Sequence, residues 1–160
     1  ASAASGVRDD ATRALNTTLD DIARHEQTLR AAEQSWALLN RAPNADLKGL
    51  IFVLALQAQA YAALGKWDDS EHSLDTMMRL IADRRAEVSV SSRDPAVRIF
   101  ALLLTGQMSE DAREYERAID DYRAALALAE QNSLTPALIW ALRQKSGQQT
   151  ERKGLKKSKE

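Results

Sequence analysis

The chain has 160 residues with a formal net charge of −1, 44% hydrophobic residues, 5% aromatics and no cysteine. Near-neutrality provides no global field to draw in nucleic acid or an anionic membrane. The lack of cysteine excludes disulfides, thiolate metal sites and thiol catalysis. The length allows one domain with a real core, and a composition rich in alanine and leucine, with Gly 6 and Pro 3, favours an all-helical fold.

Absence of cysteine also suits a reducing compartment, so a cytoplasmic location is expected. The longest apolar run, residues 49–64, is interrupted by Gln57 and Gln59 and is too short and polar for a good membrane span. No charged-then-apolar leader opens the chain. It begins at Ala1 rather than Met, as a processed or excised segment would.

In chain order, residues 1–6 are small and polar and read as a disordered end. A helical pattern follows over about residues 7–40. Leu15, Ile22, Leu29 and Trp36 recur every seven residues, and Ala11, Thr18, His25, Ala32 and Leu39 form a second row beside them. Two such rows make a seam along one face. Thr18 and His25 make the second row impure. The seam can pack on the chain's own helices or pair with another chain, and both readings stay open. A homodimer through this helix is the second of them.

Pro43 breaks the pattern, and Asn44 is a candidate cap for the next helix. That helix, about 45–64, is apolar almost all round, as a central buried helix should be. Gly65 is a left-handed stop. A further helix over 67–82 carries Trp67, Leu74, Met77, Met78 and Ile81 on its apolar side. Residues 83–93 read as a loop. Asp94-Pro95 is a strong helix start, a side-chain cap followed by proline in the first turn, opening a helix to about Met108.

Next comes a stretch with apolar residues at Tyr115, Ala118, Ile119, Tyr122, Ala125 and Leu126, all on one side of a helix that ends near Asn132. The small Ala118 and Ala125 allow a second helix to approach closely. Thr135-Pro136 starts a short last helix to about Lys145. Residues 147–160 read as a disordered basic tail.

The stretch from Tyr115 resembles the second helix of a tetratricopeptide repeat, and Ala60-Tyr61-Ala62-Ala63-Leu64-Gly65-Lys66-Trp67-Asp68-Asp69-Ser70 resembles the junction of one. Tyr61 matches the aromatic of the first helix, Gly65 the turn glycine, Trp67 the aromatic opening the second helix and Ser70 its small residue. The resemblance implies repeats over 51–84 and 99–132, with Gly106, Tyr115, Ala118, Tyr122 and Ala125 at matching positions. It implies an antiparallel array of about six helices in a single domain over 7–146. Two departures stand out. Trp67 and Tyr115 lie 48 residues apart, where a regular array has about 34. Arg113 also replaces the turn glycine. One continuous helix over 95–131 is therefore a rival. The missing third repeat would be supplied by the first and last helices, giving a compact, irregular array.

Candidate chemistry is thin. His72 lies within helical reach of Asp69 and Asp75, but no second histidine joins it, and His25 sits in the seam, so no metal site is expected. The acid pairs 9–10, 20–21, 68–69 and 120–121 are adjacent in sequence and point about 100° apart on a helix, so they read as solvated faces. No phosphate loop, nucleophile elbow or HExxH pattern occurs, and neither an enzyme nor a cofactor is expected.

In the family, partners lie in a groove lined by the first helix of each repeat. Carried over by position, this implies Phe52, Ala55, Gln59, Ala62 and Ala63 from the first repeat. The second repeat provides Phe100, Leu103, Gln107, Glu110 and Asp111. Such a groove is apolar with neutral amides and suits an amphipathic helix or an apolar peptide of another protein; the other reading, equally open, is that these residues only pack on the chain's own first helix. The lysines of the tail offer an alternative contact for nucleic acid in a nucleoprotein complex, with no aromatic interleaved for base stacking.

Overall fold

The computed structural model describes residues 2–42 and 44–159. The expected helix breaker Pro43, Ala1 and Glu160 lie outside the described residues, as do the side chains of Ser2 and residues 156–159. Among the described residues the fold is all-α, with six helices: α1 (Ser2–Leu39), α2 (Leu47–Ala63), α3 (Trp67–Asp83), α4 (Pro95–Asp111), α5 (Tyr115–Gln131) and α6 (Pro136–Lys159). A 3-10 turn at Arg85–Glu87 interrupts the loop between α3 and α4.

α2 with α3 and α4 with α5 form two helical hairpins of one plan. All four helices have 17 residues. Each element of the second hairpin begins 48 positions after its counterpart in the first. The rival single helix over 95–131 is not formed. The chain turns at Ala112, Arg113 and Glu114, with Arg113 at φ 61°.

Three turns close by the same device. Gly65 N–H donates to the Ala62 carbonyl and Lys66 N–H to that of Tyr61. Arg113 donates to Glu110 and Glu114 to Ser109. Ser133 donates to Glu130 and Leu134 to Ala129. This is the Schellman arrangement, which satisfies orphan carbonyls at a helix end and needs one left-handed residue. Glycine fills that place only once; Arg113 and Ser133, at φ 61° and 51°, fill the others.

Helix starts follow the sequence in part. Asp94 caps α4, its Oδ1 accepting from Ala96 N–H at 3.0 Å, with Pro95 in the first turn. α2 is entered from Asp46 rather than Asn44, and its cap makes no side-chain bond. Lys48 instead reaches Asp94 at 3.3 Å, joining the first turn of α2 to the cap of α4.

The core lies among α2 to α6. Ile51, Leu54, Met77, Ile81, Ile99, Phe100, Leu103, Tyr122, Leu138 and Leu142 are its largest buried apolar side chains. Two close approaches narrow it. Ser70 Oγ donates to the Ala58 carbonyl at 2.7 Å between α2 and α3. At the equivalent place in the second hairpin, a Cβ on Gly106 would stand 2.6 Å from Cε1 of Tyr122. α6 packs on α5 and also back on α2, so the array closes on itself.

Both ends of the chain differ from expectation. α1 is helical from Ser2, so residues 2–6 are part of a helix where a loose end was expected. Alanine-rich sequence extends an existing helix at little cost per residue. Only its C-terminal part packs on the body: Leu29 and Ala32 are buried and Trp36 half-buried, and Glu33 Oε1 accepts from Tyr61 Oη at 3.0 Å. α6 continues to Lys159, through the segment read as a disordered tail. Carboxylates of α4 and α5 hold it there.

Candidate protein-binding furrow

α2 is central, but it is not buried all round. Ala55, Ala58, Ile51 and Leu54 face the core, while Phe52, Val53, Leu56 and Gln59 are half-buried along the opposite edge. The first turn of α6 supplies the facing wall with Thr135, Pro136 and Ala137, enclosing a hollow of about 420 Å³ whose exposed lining is almost wholly apolar. A second hollow of about 530 Å³ shares Leu56 and Gln59. It runs on past Ala62 and Ala63 to Trp67 and Trp140, with Arg24, His25 and Thr28 of α1 as its far wall. Together they make one furrow from the start of α6 to the base of α1. Its length along α2, from Phe52 to Ala63, is roughly 16 Å at 1.5 Å per residue, three helical turns.

Of the positions carried over from the repeat pattern, Phe52, Gln59, Ala62 and Ala63 come together here. Ala55, Phe100 and Leu103 do not: each is fully buried in the core and lines no groove. The carry-over presumes an open array. Closure of α6 against α2 puts the apolar face of α4 inside the molecule. Gln107 also lies away from the furrow, its Nε2 donating to Asp111 Oδ1 at 3.1 Å along α4. The residues missed are Val53, Leu56, Thr135, Pro136, Ala137, Trp67 and Trp140. Pro136 and Trp140 stand four apart on one helix face, a readable spacing, but only the packing of α6 on α2 makes that face a wall. Trp67, expected on the apolar side of α3, is 58% exposed at the furrow's end.

A buried polar cluster ties α4, α5 and α6 together. Glu110 Oε2 accepts from Tyr122 Oη at 2.9 Å and faces Lys145 Nζ at 3.6 Å, while Glu110 Oε1 pairs with Arg152. The Lys145 ammonium also lies 5.5 Å from the centre of the Tyr122 ring. Burial pushes the Tyr122 phenol well above its usual range and lowers the Lys145 pKa. Gln149 is fully buried beside this region, with neither amide atom hydrogen-bonded among the described residues. Lys153 pairs with Glu116 at 3.0 Å and Arg143 with Glu130 at 3.2 Å. Several cations of the C-terminal segment are therefore engaged within the chain.

Among the described residues, no three His, Asp or Glu side chains converge as a metal site would require, and no helix is long and apolar enough to cross a membrane. The fold and the furrow define an all-α protein built on two equivalent helical hairpins with a closing sixth helix. No protein-family model matches the chain, and no similar curated protein or solved structure is found.

Proposed function

We propose that the chain is a non-enzymatic protein-interaction module, an adaptor, chaperone or assembly subunit, that takes a short amphipathic helix or apolar peptide of another protein into the furrow beside α2. The observation that carries this reading is the run of half-buried apolar side chains, Phe52, Val53, Leu56 and Trp140, with the exposed Pro136 among them, along two adjoining hollows beside α2. Three turns of helix fit that length and would present anchors at three- and four-residue spacing. The aromatics would serve as its strongest contacts. The equal helix lengths, the matching left-handed turns and the small residues at Ala58, Ser70, Gly106 and Ala118 support the hairpins as irregular tetratricopeptide-like repeats. The pairing of Arg152 and Lys153 within the chain disfavours nucleic-acid binding by the tail.

The test is a photo-crosslinking residue at Leu56, compared in cells with one at Arg123, which is exposed on α5, a helix that contributes nothing to the furrow. Capture of another protein at Leu56 and not at Arg123 is expected, and Phe52→Ser should abolish it. Equal capture at both positions would end the reading. Self-association through α1 is a second reading, favoured by the exposure of Leu15, Leu19 and Ile22.

A further inference from the structure

The N-terminal part of α1 leaves the body as a free arm. Leu29 is its first buried residue, and Val7, Leu15, Leu19 and Ile22 are 69%, 58%, 53% and 40% exposed. Ala11, Leu15, Leu19 and Ile22 follow at four, four and three residues, so they form one stripe along one side of the helix. A bare apolar stripe does not itself name its cover. The charges at its ends do.

Arg8 and Glu26 close the stripe. They lie 18 positions apart, five helical turns, and so project along the same line as the stripe between them. Of the other charges between them, Arg13 pairs with Asp10 at 3.7 Å and Arg24 with Asp21 at 2.5 Å, while Asp9 and Asp20 lie roughly a third of a turn around the helix from the stripe. The stripe is thus cationic at one end, anionic at the other and apolar between. A surface of that kind is complementary to its own reversed copy.

We infer that the arm pairs antiparallel with the arm of a second copy of this chain, about a two-fold axis near residue 17. Arg8 of each then faces Glu26 of the other, and Leu15 lies beside Leu19. Two-fold symmetry makes each contact occur twice. In this register residue 5 of one arm lies opposite Leu29 of the other, so the two folded bodies sit at opposite ends of the paired segment. A parallel pair would instead set Arg8 against Arg8 and Glu26 against Glu26. The inference rests on the self-association reading and is independent of the furrow.

Sedimentation of the full chain across micromolar to submillimolar concentration tests it. A dimer of the 17.7 kDa chain is expected. Arg8→Glu and Glu26→Arg should each weaken it about tenfold, because either swap creates two like-charge contacts. The double swap should restore it. Leu15→Ser with Ile22→Ser should leave a monomer with unchanged thermal unfolding, since both side chains are exposed. Spin labels on Ser5→Cys, in a chain with no other cysteine, should lie roughly 36 Å apart along the axis at 1.5 Å per residue. A monomer throughout overturns both the inference and the self-association reading. A dimer indifferent to the charge swaps, or one with adjacent labels, overturns the antiparallel arrangement and leaves self-association standing.

Discussion

At the scale of single residues, the tightest constraint is the meeting of Gly106 with Tyr122. A methyl group at 106 would overlap a ring that is fully buried and held by its hydroxyl to Glu110. The ring cannot swing aside without breaking that bond. Gly106→Ala should therefore destabilise the protein by about 1–3 kcal/mol, as overpacking of a dense core does; a shift in the urea midpoint measures it. Tyr122 also predicts a pH effect. Its folded pKa is raised, so between the unfolded and folded values the native state holds the extra proton. The contribution is fully present below about pH 10, the unfolded value, and is lost as pH rises through the folded one. Denaturant midpoints measured from pH 9 to 12 should fall in the wild type, and this component should be missing in Tyr122→Phe.

At the scale of elements, the turn between α4 and α5 shows how context overrides a local preference. Tyr115, Ala118, Ile119, Tyr122, Ala125 and Leu126 read correctly as one face: all six are buried or half-buried. Whether that helix ran on from α4 stayed open, because the apolar rhythm hardly falters between them and no glycine marks the stop. Arg113 takes the left-handed place that Gly65 fills in the first hairpin, at a cost of about 1–2 kcal/mol for a side chain there. Folding α5 back against α4 buries Phe100, Leu103, Ala118 and Tyr122, which outweighs that cost many times over. The same argument applies at the C-terminus. Residues past Ser146 look soluble in isolation, yet Gln149 is fully buried and Arg152 reaches the buried Glu110. Deleting residues 147–160 should cost about 1–3 kcal/mol in chemical unfolding, the range for leaving a buried polar group short of partners. A truly disordered tail would be lost without effect.

At the scale of the whole molecule, what decides the exposed surface is closure. An open array would bare Ala55, Phe100 and Leu103; the return of α6 onto α2 encloses them and moves the accessible apolar surface to the edge of α2. The seam of α1 divides in the same way, with Leu29 on the body and Leu15 and Ile22 in solvent. Sequence by itself determined the all-helical class, the start of α4, the apolar face of α5 and, Trp67 apart, that of α3. These depend on spacing along one chain, and a period of 3.6 residues is written in the order of residues alone. Only the tertiary structure decided which apolar faces were covered and where the furrow lay. Covering depends on which helices meet, and the convergence of residues as far apart as Leu56 and Trp140 on one hollow leaves no mark in local spacing.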